Sequence, residues 1–446
     1  MRRLLFITLL IVSSAATTYG EPLKLSVRDA VRLSLENNGQ IKAARFSAEA
    51  TRHGIKSAGA RSLPTISFEE TLAASNSPTS AFMMKLDEGR FAASDFQVDN
   101  INNPSVIHDF KTVLSLRQPL FDPAVKPLIQ IATIEARTSE LQLEEVRQHI
   151  AFRTFHSCLE LLKAMARQVA AEKAVADAQE NMRLATVRRA SGVGLKSDEL
   201  RMRTHLSSVE QQLIVARNTQ SLSRMQLAIL VGLPDDTTIE LSGTIDDAMV
   251  TPFTSEAVSG TTTQRVEVRR SEAELEKSQT AVTLVQSDYL PTVGAFASYQ
   301  LNGKDIPLAT DNDSWSVGVT LKWTVFDGFR RDSERARAIS RQSAARELLD
   351  TVNKDVRYQI KESYLRRDEA AKLREVAHNG VQDAEETVRL LLRRYENSLA
   401  TLTELLDAQT ALNQARAGQI EVDAGYALAD GRVLYTTGTF VKEMVK

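Results

Sequence analysis

Three side chains that could suggest a metal site lie close together in one predicted helix: His149, His156 and the single cysteine, Cys158. Imidazole and thiolate are ligands that suit zinc and copper. The three residues are separated by seven and two positions, and this spacing does not bring three ligands to one face of a helix. A single cysteine also excludes an internal disulfide and any multi-cysteine metal site. The sequence therefore predicts no metal site, and the adjacent Met83 and Met84 are typical of packing rather than copper binding.

Recognisable catalytic motifs are missing from the sequence as well. It contains no nucleophile elbow, phosphate-binding loop or zinc-binding helix signature. Asp, Glu, Lys and Arg make up 25% of the residues, but they recur at the spacing of solvated helix faces. A formal net charge of -2 also argues against nucleic-acid binding, which usually needs a basic surface. We therefore expect no enzyme, no cofactor site and no nucleic-acid partner.

One stretch, Trp315–Phe326, alternates strictly between apolar and polar residues. A period of two predicts a strand with one apolar and one polar face. The apolar face carries both tryptophans of the chain, Trp315 and Trp323, and the strand between them would cover roughly 26 Å. Transmembrane barrel strands have such an apolar band with aromatic girdles at its two borders. For one strand taken alone, half of a soluble sandwich is the commoner interpretation, so the rest of the chain must decide.

The first twenty residues resemble a secretory signal. Arg2 and Arg3 give a basic start, Leu4–Val12 an apolar run, and small residues follow at the expected cleavage region. The run is about half the length of a membrane-spanning helix, and no later run is long enough. If the mature protein lies in a membrane, it must therefore cross it as strands closed into a barrel.

Long helices account for much of the remaining sequence. Between Pro127 and Arg189 there is no other proline and no glycine, and apolar residues recur at alternating three and four steps, as in a coiled coil. At 1.5 Å per residue such a helix would be roughly 90 Å long. Residues 191–194 interrupt it, and a second helix follows to about Leu230. The pattern predicts a long helical hairpin whose charged surface stands in water.

The same order of elements then returns, so the chain is an internal duplication. Sliding the sequence by 206 positions sets Gly192 on Ser398, Asp198 on Glu404, and Gly232 on Gly438. The predicted segments are a signal peptide (1–20), N-terminal helices (21–62), strands one and two with a long external loop at 75–109 (63–123), the first helical hairpin (124–232), an equatorial segment (233–262), a helix (263–289), strands three and four (290–328), the second helical hairpin (329–438) and a C-terminal tail (439–446).

Four strands and four long helices cannot form a closed channel on their own. A four-stranded sheet leaves two bare edges, and transmembrane barrels have at least eight strands. Oligomerisation supplies the missing strands: two copies would give eight and three copies twelve. The sequence therefore predicts a ring of identical chains.

The chain resembles the TolC-like outer membrane factor family, the exit ducts of tripartite efflux pumps and type I secretion systems. The resemblance rests on the N-terminal pattern 25–38, on the paired Leu-Pro-Thr entries at 63–65 and 290–292, on the Phe-Asp exits at 121–122 and 326–327, on Gly192, and on 405–408. It implies a mostly α fold with a small membrane β part. In that fold a homotrimer forms a twelve-stranded outer-membrane β-barrel continuous with a long periplasmic α-helical barrel. The implied location is the outer membrane of a Gram-negative bacterium, with most of the mass in the periplasm.

The resemblance also implies functional residues at the hairpin turns. Asp198, Glu404 and Asp407 match positions where the family places carboxylates that line a constriction at the periplasmic tip; the alternative is that they are solvated residues at helix starts. Tyr395 matches a tyrosine that helps to hold the closed state. The arginine that pairs in that lock falls on Ala400 here, so we expect either a weaker closed state or a closed state that uses Arg393 or Arg394 instead. Trp315 and Trp323 are expected to be girdle residues that contact outer-membrane lipid.

The implied function is passive conduction through the exit duct of a tripartite efflux pump. A periplasmic adaptor and an inner-membrane transporter would open its tip, so that small molecules or ions leave the cell. Two alternatives stay open: an exit duct for type I protein secretion, and, in a different class, a soluble periplasmic coiled-coil adaptor. Adaptors share the helical hairpin, but the strand pairs and the exact return of their order count against this alternative.

Overall fold

We describe the chain from a computed structural model, which covers residues 23–234, 237, 239–249, 265–310 and 312–445. The predicted signal peptide and most of the predicted equatorial segment lie outside these residues. The ten helices of the described part are α1 (Val27–Asn37), α2 (Gly39–Gly59), α3 (Pro78–Asp87), α4 (Val98–Asn102), α5 (Val125–Ala190), α6 (Lys196–Val231), α7 (Val266–Ser287), α8 (Arg330–Glu396), α9 (Leu402–Thr436) and α10 (Phe440–Val445). Its strands are β1 (Leu23–Leu25), β2 (Thr65–Ser75), β3 (Ile107–Phe121), β4 (Ile239–Leu241), β5 (Thr292–Gly303) and β6 (Asn312–Lys322).

Four of these strands form one antiparallel sheet in the order β2-β3-β5-β6. The register places four serines in one row: Ser67 faces Ser115, Ser115 faces Ser298, and Ser298 faces Ser316. Because residues two apart share a face, the serine row fixes which side of every strand is polar. The strands β2 and β6 are the edges of the sheet within one chain.

The apolar face of this sheet is exposed to a degree that water-soluble proteins avoid. Trp315 has 74% of its surface exposed, Val317 68% and Val319 66%. The exposed apolar side chains of the other strands on the same face include Ile66, Phe68, Leu72, Leu114, Leu116 and Tyr299. Monomeric soluble proteins rarely expose apolar patches of this extent, so this face must be covered in the assembled protein.

Of the described helices, none combines the length and the apolar character that a bilayer crossing requires.

The chain separates into two compact units. The first comprises Met1–Lys42, Glu145–Arg265 and Val356–Lys446, and the second comprises Ala43–Glu144 and Val266–Asp355. In the first unit the aromatic rings of Phe155 and Phe440 are fully buried, with 5.4 Å between their centroids. The second unit holds the four-stranded sheet together with α3, α4 and α7.

Part of the predicted equatorial segment lies within the described residues. There β4 pairs in parallel with β1, so that Ile239 faces Leu23. A short 3-10 helix follows at Asp246–Ala248. Arg374 of α8 donates hydrogen bonds to Asp246 at 2.6 Å and to Asp423 of α9 at 2.9 Å, which ties the 3-10 helix to both long helices.

The internal duplication is confirmed at the level of backbone geometry. Gly192 and Ser398 occupy equivalent turn positions, and both are left-handed, with φ of +82° and +61°. Gly232 and Gly438 end equivalent helices with φ of +76° and +75°. A left-handed backbone conformation is costly for every residue except glycine. Ser398 nevertheless adopts it, so the turn has the same geometry in the repeat that lacks the glycine.

Two expectations from the sequence are wrong. Residues 75–109 are not an irregular loop: they contain the end of β2, α3, a 3-10 helix at Ala93–Phe96, α4 and the start of β3. Pro78 lies in the first turn of α3, where an amide hydrogen would have no acceptor within the helix. The missing hydrogen of proline therefore costs nothing at this position, and Pro78 marks the start of a helix rather than a break. The predicted strand Trp315–Phe326 is also displaced, because β6 runs from Asn312 to Lys322 and leaves Trp323 just past its end.

Candidate functional site

The ends of the two helical hairpins share one small hydrophobic core, here called the turn core. It consists of Ala185 from α5, Met202 from α6, Tyr395 from α8, and Leu402 and Leu405 from α9. Met202 and Leu405 are 1% and 0% exposed. The two turns of one chain therefore pack against each other through buried side chains, and Ala400 lies against the same core.

Arg188 joins the two turns at the edge of this core. Its guanidinium donates to the carbonyl oxygens of Tyr395 at 3.2 Å and Glu396 at 3.0 Å, and to the Ser398 hydroxyl at 2.9 Å. The same group lies 5.0 Å from the centroid of the Tyr395 ring, within range of a cation–π interaction. Arg188 thus adds a charged donor to carbonyls at the end of α8, of which that of Tyr395 also accepts from the Ser398 amide at 3.0 Å.

Within this chain the guanidinium over the Tyr395 ring is that of Arg188, and a part for Arg393 or Arg394 in the closed state stays a prediction. Arg394 instead donates to the carbonyl of Leu399 in its own turn at 3.3 Å. Arg188 corresponds to Arg394 in the duplicated sequence, yet only Arg188 reaches across to the other hairpin. Arg188 had only a weak signal in the sequence, namely the two arginines in the last turn of α5, because its contact with Tyr395 spans 207 positions.

Tyr395 is the predicted site residue with the most defined surroundings. It is 6% exposed. Burial raises the pKa of its phenol, the positive charge of Arg188 opposes this shift, and the negative charge of Asp198 adds to it. Asp198, in the first turn of α6, therefore lies close enough to Tyr395 to act on it electrostatically.

Glu404 has a structural role in the backbone of α9. Its carboxylate accepts hydrogen bonds from the Thr401 amide at 2.7 Å and the Thr401 hydroxyl at 2.9 Å, while its own amide donates to that hydroxyl at 3.3 Å. This reciprocal capping box starts the helix. The Thr401 backbone bond, followed by the side-chain bond, lowers the pKa of Glu404. The carboxylate is exposed and stays ionised, and Asp407 is exposed one turn further on.

The residues with metal-ligand chemistry are not arranged as a site. In the part of the chain that the structure describes, no group of three His, Cys, Asp or Glu side chains could hold a metal ion. Cys158 is fully buried, and burial raises the pKa of its thiol to about 12. It therefore stays protonated at neutral pH and packs as a small apolar residue.

The two tryptophans lie on the second unit, both exposed. Trp315 faces Tyr299 on the neighbouring strand, on the apolar face of the sheet. Trp323 is 55% exposed, and its indole nitrogen donates to the Tyr289 carbonyl at 3.2 Å. The indole of Trp323 is thus anchored by its polar group while its ring stays available to an apolar environment.

With this geometry established, comparison with known proteins identifies the family. The sequence pattern of the outer membrane efflux protein family matches residues 30–233 and 258–437. The chain belongs to this family. Its two matched segments correspond to the two halves of the internal duplication, which a single unrepeated fold would not produce.

Individual relatives are distant in sequence. PrtF of Dickeya chrysanthemi, described as a protease secretion protein, is 21% identical over 427 residues, covering 94% of this chain and 89% of PrtF. Protein CyaE of Bordetella pertussis (strain Tohama I) is 26% identical over 166 residues, covering 36% of this chain and only 34% of CyaE. The crystal structure of the Campylobacter jejuni CmeC outer membrane channel matches with a TM-score of 0.78 at 17% identity, over 93% of this chain and 86% of that one.

These findings confirm the fold class and the general function. The chain has the fold of the trimeric outer-membrane channels, mostly helical with a small membrane β part. It is an outer-membrane efflux channel of the TolC-like kind. The exposed apolar face of its sheet is thereby explained, because this face is the part that meets lipid.

Removing the Arg188 contacts should loosen the turn between α8 and α9. We expect Arg188→Ala to raise amide hydrogen exchange at residues 395–401 by about 10-fold to 100-fold, because hydrogen bonds from a charged group contribute about 1.5–3 kcal/mol. Mass spectrometry of the exchanged peptides measures this directly.

The matched control is Arg183→Ala. Arg183 lies on the same helix but binds only Glu180, three residues before it, at 2.7 and 2.9 Å. Equal exchange of the turn in the two variants would contradict the role given to Arg188.

Proposed function

We propose that this chain is the passive outer-membrane exit duct of a tripartite export system, and that it is closed at rest at its hairpin turns. The observation that carries the proposal is the set of Arg188 contacts that hold the two turns of one chain together over the turn core. No bound group or chemical step is needed for conduction. The chain acts by opening and closing a path.

Opening requires outside energy, which we assign to partner proteins. Each chain buries five side chains in the turn core and adds the Arg188 bonds, so separating the turns exposes apolar surface three times in the trimer. A periplasmic adaptor and an inner-membrane transporter that bind the separated turns more tightly than the packed ones would shift this equilibrium. Membership of the outer membrane efflux protein family supports this assignment of the two partners.

We further propose that Asp198, Glu404 and Asp407 form acidic rings at this aperture, with Tyr395 as part of its closed state. Threefold repetition multiplies each carboxylate by three. Rings of carboxylates attract cations and repel one another. The capping box shows that Glu404 also starts its helix, so its two roles must be separated experimentally. Trp315 and Trp323 are proposed to contact outer-membrane lipid at the two borders of the apolar band.

For cargo, we propose small molecules or ions, as the family description as efflux proteins suggests. One observation favours a second candidate, the export of polypeptides. PrtF, a protease secretion protein by its description, aligns with nearly the whole of this chain. The inner-membrane partner would then be a protein secretion transporter, and the duct itself would be built in the same way.

The charge rings are tested with neutral isosteres. The triple variant Asp198→Asn, Glu404→Gln, Asp407→Asn should lower the cation-to-anion permeability ratio of the purified trimer in planar bilayers toward one, because it removes nine carboxylates from the aperture. Glutamine at position 404 keeps the capping box, so thermal stability should be unchanged.

Two controls accompany this triple variant. Glu404→Ala should reduce helicity at the start of α9, since it removes the capping acceptor as well as the charge. Glu180→Gln, on α5, removes a carboxylate away from the turns and should leave selectivity as it was. A permeability ratio identical in the triple variant and the parent would rule out the acidic rings.

The two candidate classes of cargo are distinguished in the organism by deleting the gene and then restoring it. For a small-molecule duct we expect the deletion to increase susceptibility to particular drugs or metal ions, with the secreted proteins unchanged. For a polypeptide duct a defined protein should disappear from the culture medium and return with the wild-type gene. If neither measurement changes under conditions of expression, the export proposal fails.

A further inference from the structure

A polar cavity of about 370 Å³ lies between the two helical hairpins of the first unit, and we call it the hairpin cavity. His205 of α6 lines it, together with Asn181 of α5 and Gln409 of α9. Ala174 and Ala178 line it too, and they belong to the small core between α5 and α6. The cavity therefore lies in the contact between the hairpins, which must part if the two turns separate.

Two amide side chains are buried at this cavity. Asn181 is 6% exposed and Gln409 is 9% exposed. The Oε1 atom of Gln409 accepts no hydrogen bond from the residues that the structure describes. A buried amide oxygen without a partner destabilises the packed hairpins, and water that enters as they part would satisfy it. The hairpin cavity thus makes this contact easier to open than an apolar core of the same size would be.

His205 brings a titratable group to the same place, and it is half-buried in the packed hairpins. Burial lowers the pKa of its imidazole, and no charge among the described residues shifts this pKa further. The imidazole is therefore neutral at pH 7 while the hairpins are packed. When the hairpins part and water reaches the ring, its pKa returns toward the ordinary value of about 6.5. The parted hairpins consequently bind a proton more readily than the packed ones.

The charged groups around this cavity do little to compensate a proton on His205. They come from the three other helices: Lys173, Asp177 and Glu180 of α5, Glu385 and Arg389 of α8, and Arg416 of α9. Arg416 pairs with Glu385 at 2.6 Å, and Glu180 pairs with Arg183 on its own helix. Positive and negative groups are thus equal in number, and two of the three carboxylates already bind an arginine. A protonated His205 gains little attraction there in exchange for its lost hydration.

We propose that the hairpin cavity is an acid-sensitive joint, in which protonation of His205 favours the parted hairpins and so opens the duct more readily at low pH. The inference rests on the proposed function, since it requires that parting the hairpins opens the aperture. The packed state keeps its full stability above a pH of about 6.5 and loses stability as the pH falls, because the parted state takes up the proton first. Each of the three copies can shift the balance by up to about tenfold per pH unit.

Single-channel recording of the purified trimer in planar bilayers tests the joint. Lowering the pH from about 7.5 to about 5.5 at constant salt should raise the open probability of the parent at least about five-fold. The carboxylates at the turns stay ionised over this range, because the ordinary pKa values of Asp and Glu are about 3.9 and 4.3. His205→Gln cannot take up the proton, so its open probability should not change with pH.

The matched control is His378→Gln. His378 is an exposed residue of α8, and its ring nitrogens contact the side chains of Gln382 and Gln419 rather than the cavity. This variant should respond to pH as the parent does. The proposal is overturned if His205→Gln and the parent respond equally, or if the parent does not respond to pH at all.

A second variant tests the cavity while His205 is kept. Asn181→Leu replaces a buried amide by an apolar side chain of similar size, so parting the hairpins exposes apolar surface and relieves no buried polar group. The pH at which the channel is half open should fall by about one unit. Gel filtration of the detergent-extracted trimer checks assembly. An assembled Asn181→Leu trimer that opens at the same pH as the parent would refute the role of the cavity.

Arg188→Ala separates this inference from the proposed function. Loss of the Arg188 contacts should raise the open probability at pH 7.5, where His205 is neutral. If Arg188→Ala opens in this way while the parent does not respond to pH, the joint alone is contradicted. If Arg188→Ala is no more open than the parent, the closed state at the turns is contradicted instead.

Discussion

The sheet β2-β3-β5-β6 imposes the constraint on which the rest of the structure depends. One of its faces is apolar and exposed, with Trp315 and Val317 among its most open residues. Its edge strands β2 and β6 each pair with a strand on one side only within the described chain. Bare edges cost backbone hydrogen bonds that lipid cannot replace. Lipid covers the apolar face, and further copies of the chain supply hydrogen-bond partners for both edges. The need for further copies and the membrane location therefore follow from one sheet, while the family fold sets the number of copies at three.

The contacts at the hairpin turns are local additions to long regular helices. A small core and a single arginine hold the two turns of each chain together. In the closed state that we propose, these few interactions keep the turns packed, and a docking partner can replace them. Within the second unit, a hydrogen bond from the Asn312 side chain to the Asp87 carbonyl holds residues 77–106 to the start of β6.

The elements with regular periods were predictable from the sequence, and the contacts between them were not. The long helices with coiled-coil spacing, the alternation in the strands and the duplication were all readable and are confirmed. Residues 75–109 were misjudged because Asn, Asp, Ser and Pro occur throughout them and because α3 has ten residues, too few for a clear helical period. The partner of Tyr395 was missed because the choice between Arg188 and Arg394 depends on packing between distant helices, which no local pattern records.

The central claim is that three copies of this chain complete one membrane channel. The most direct test is to fractionate expressing cells and to measure the mass of the detergent-extracted particle by light scattering, after subtracting bound detergent. The account predicts an outer-membrane protein of about three times the mass of one chain, 49.4 kDa before any signal peptide is removed. A particle of one chain in the soluble periplasmic fraction, or of two chains in the membrane, would contradict it.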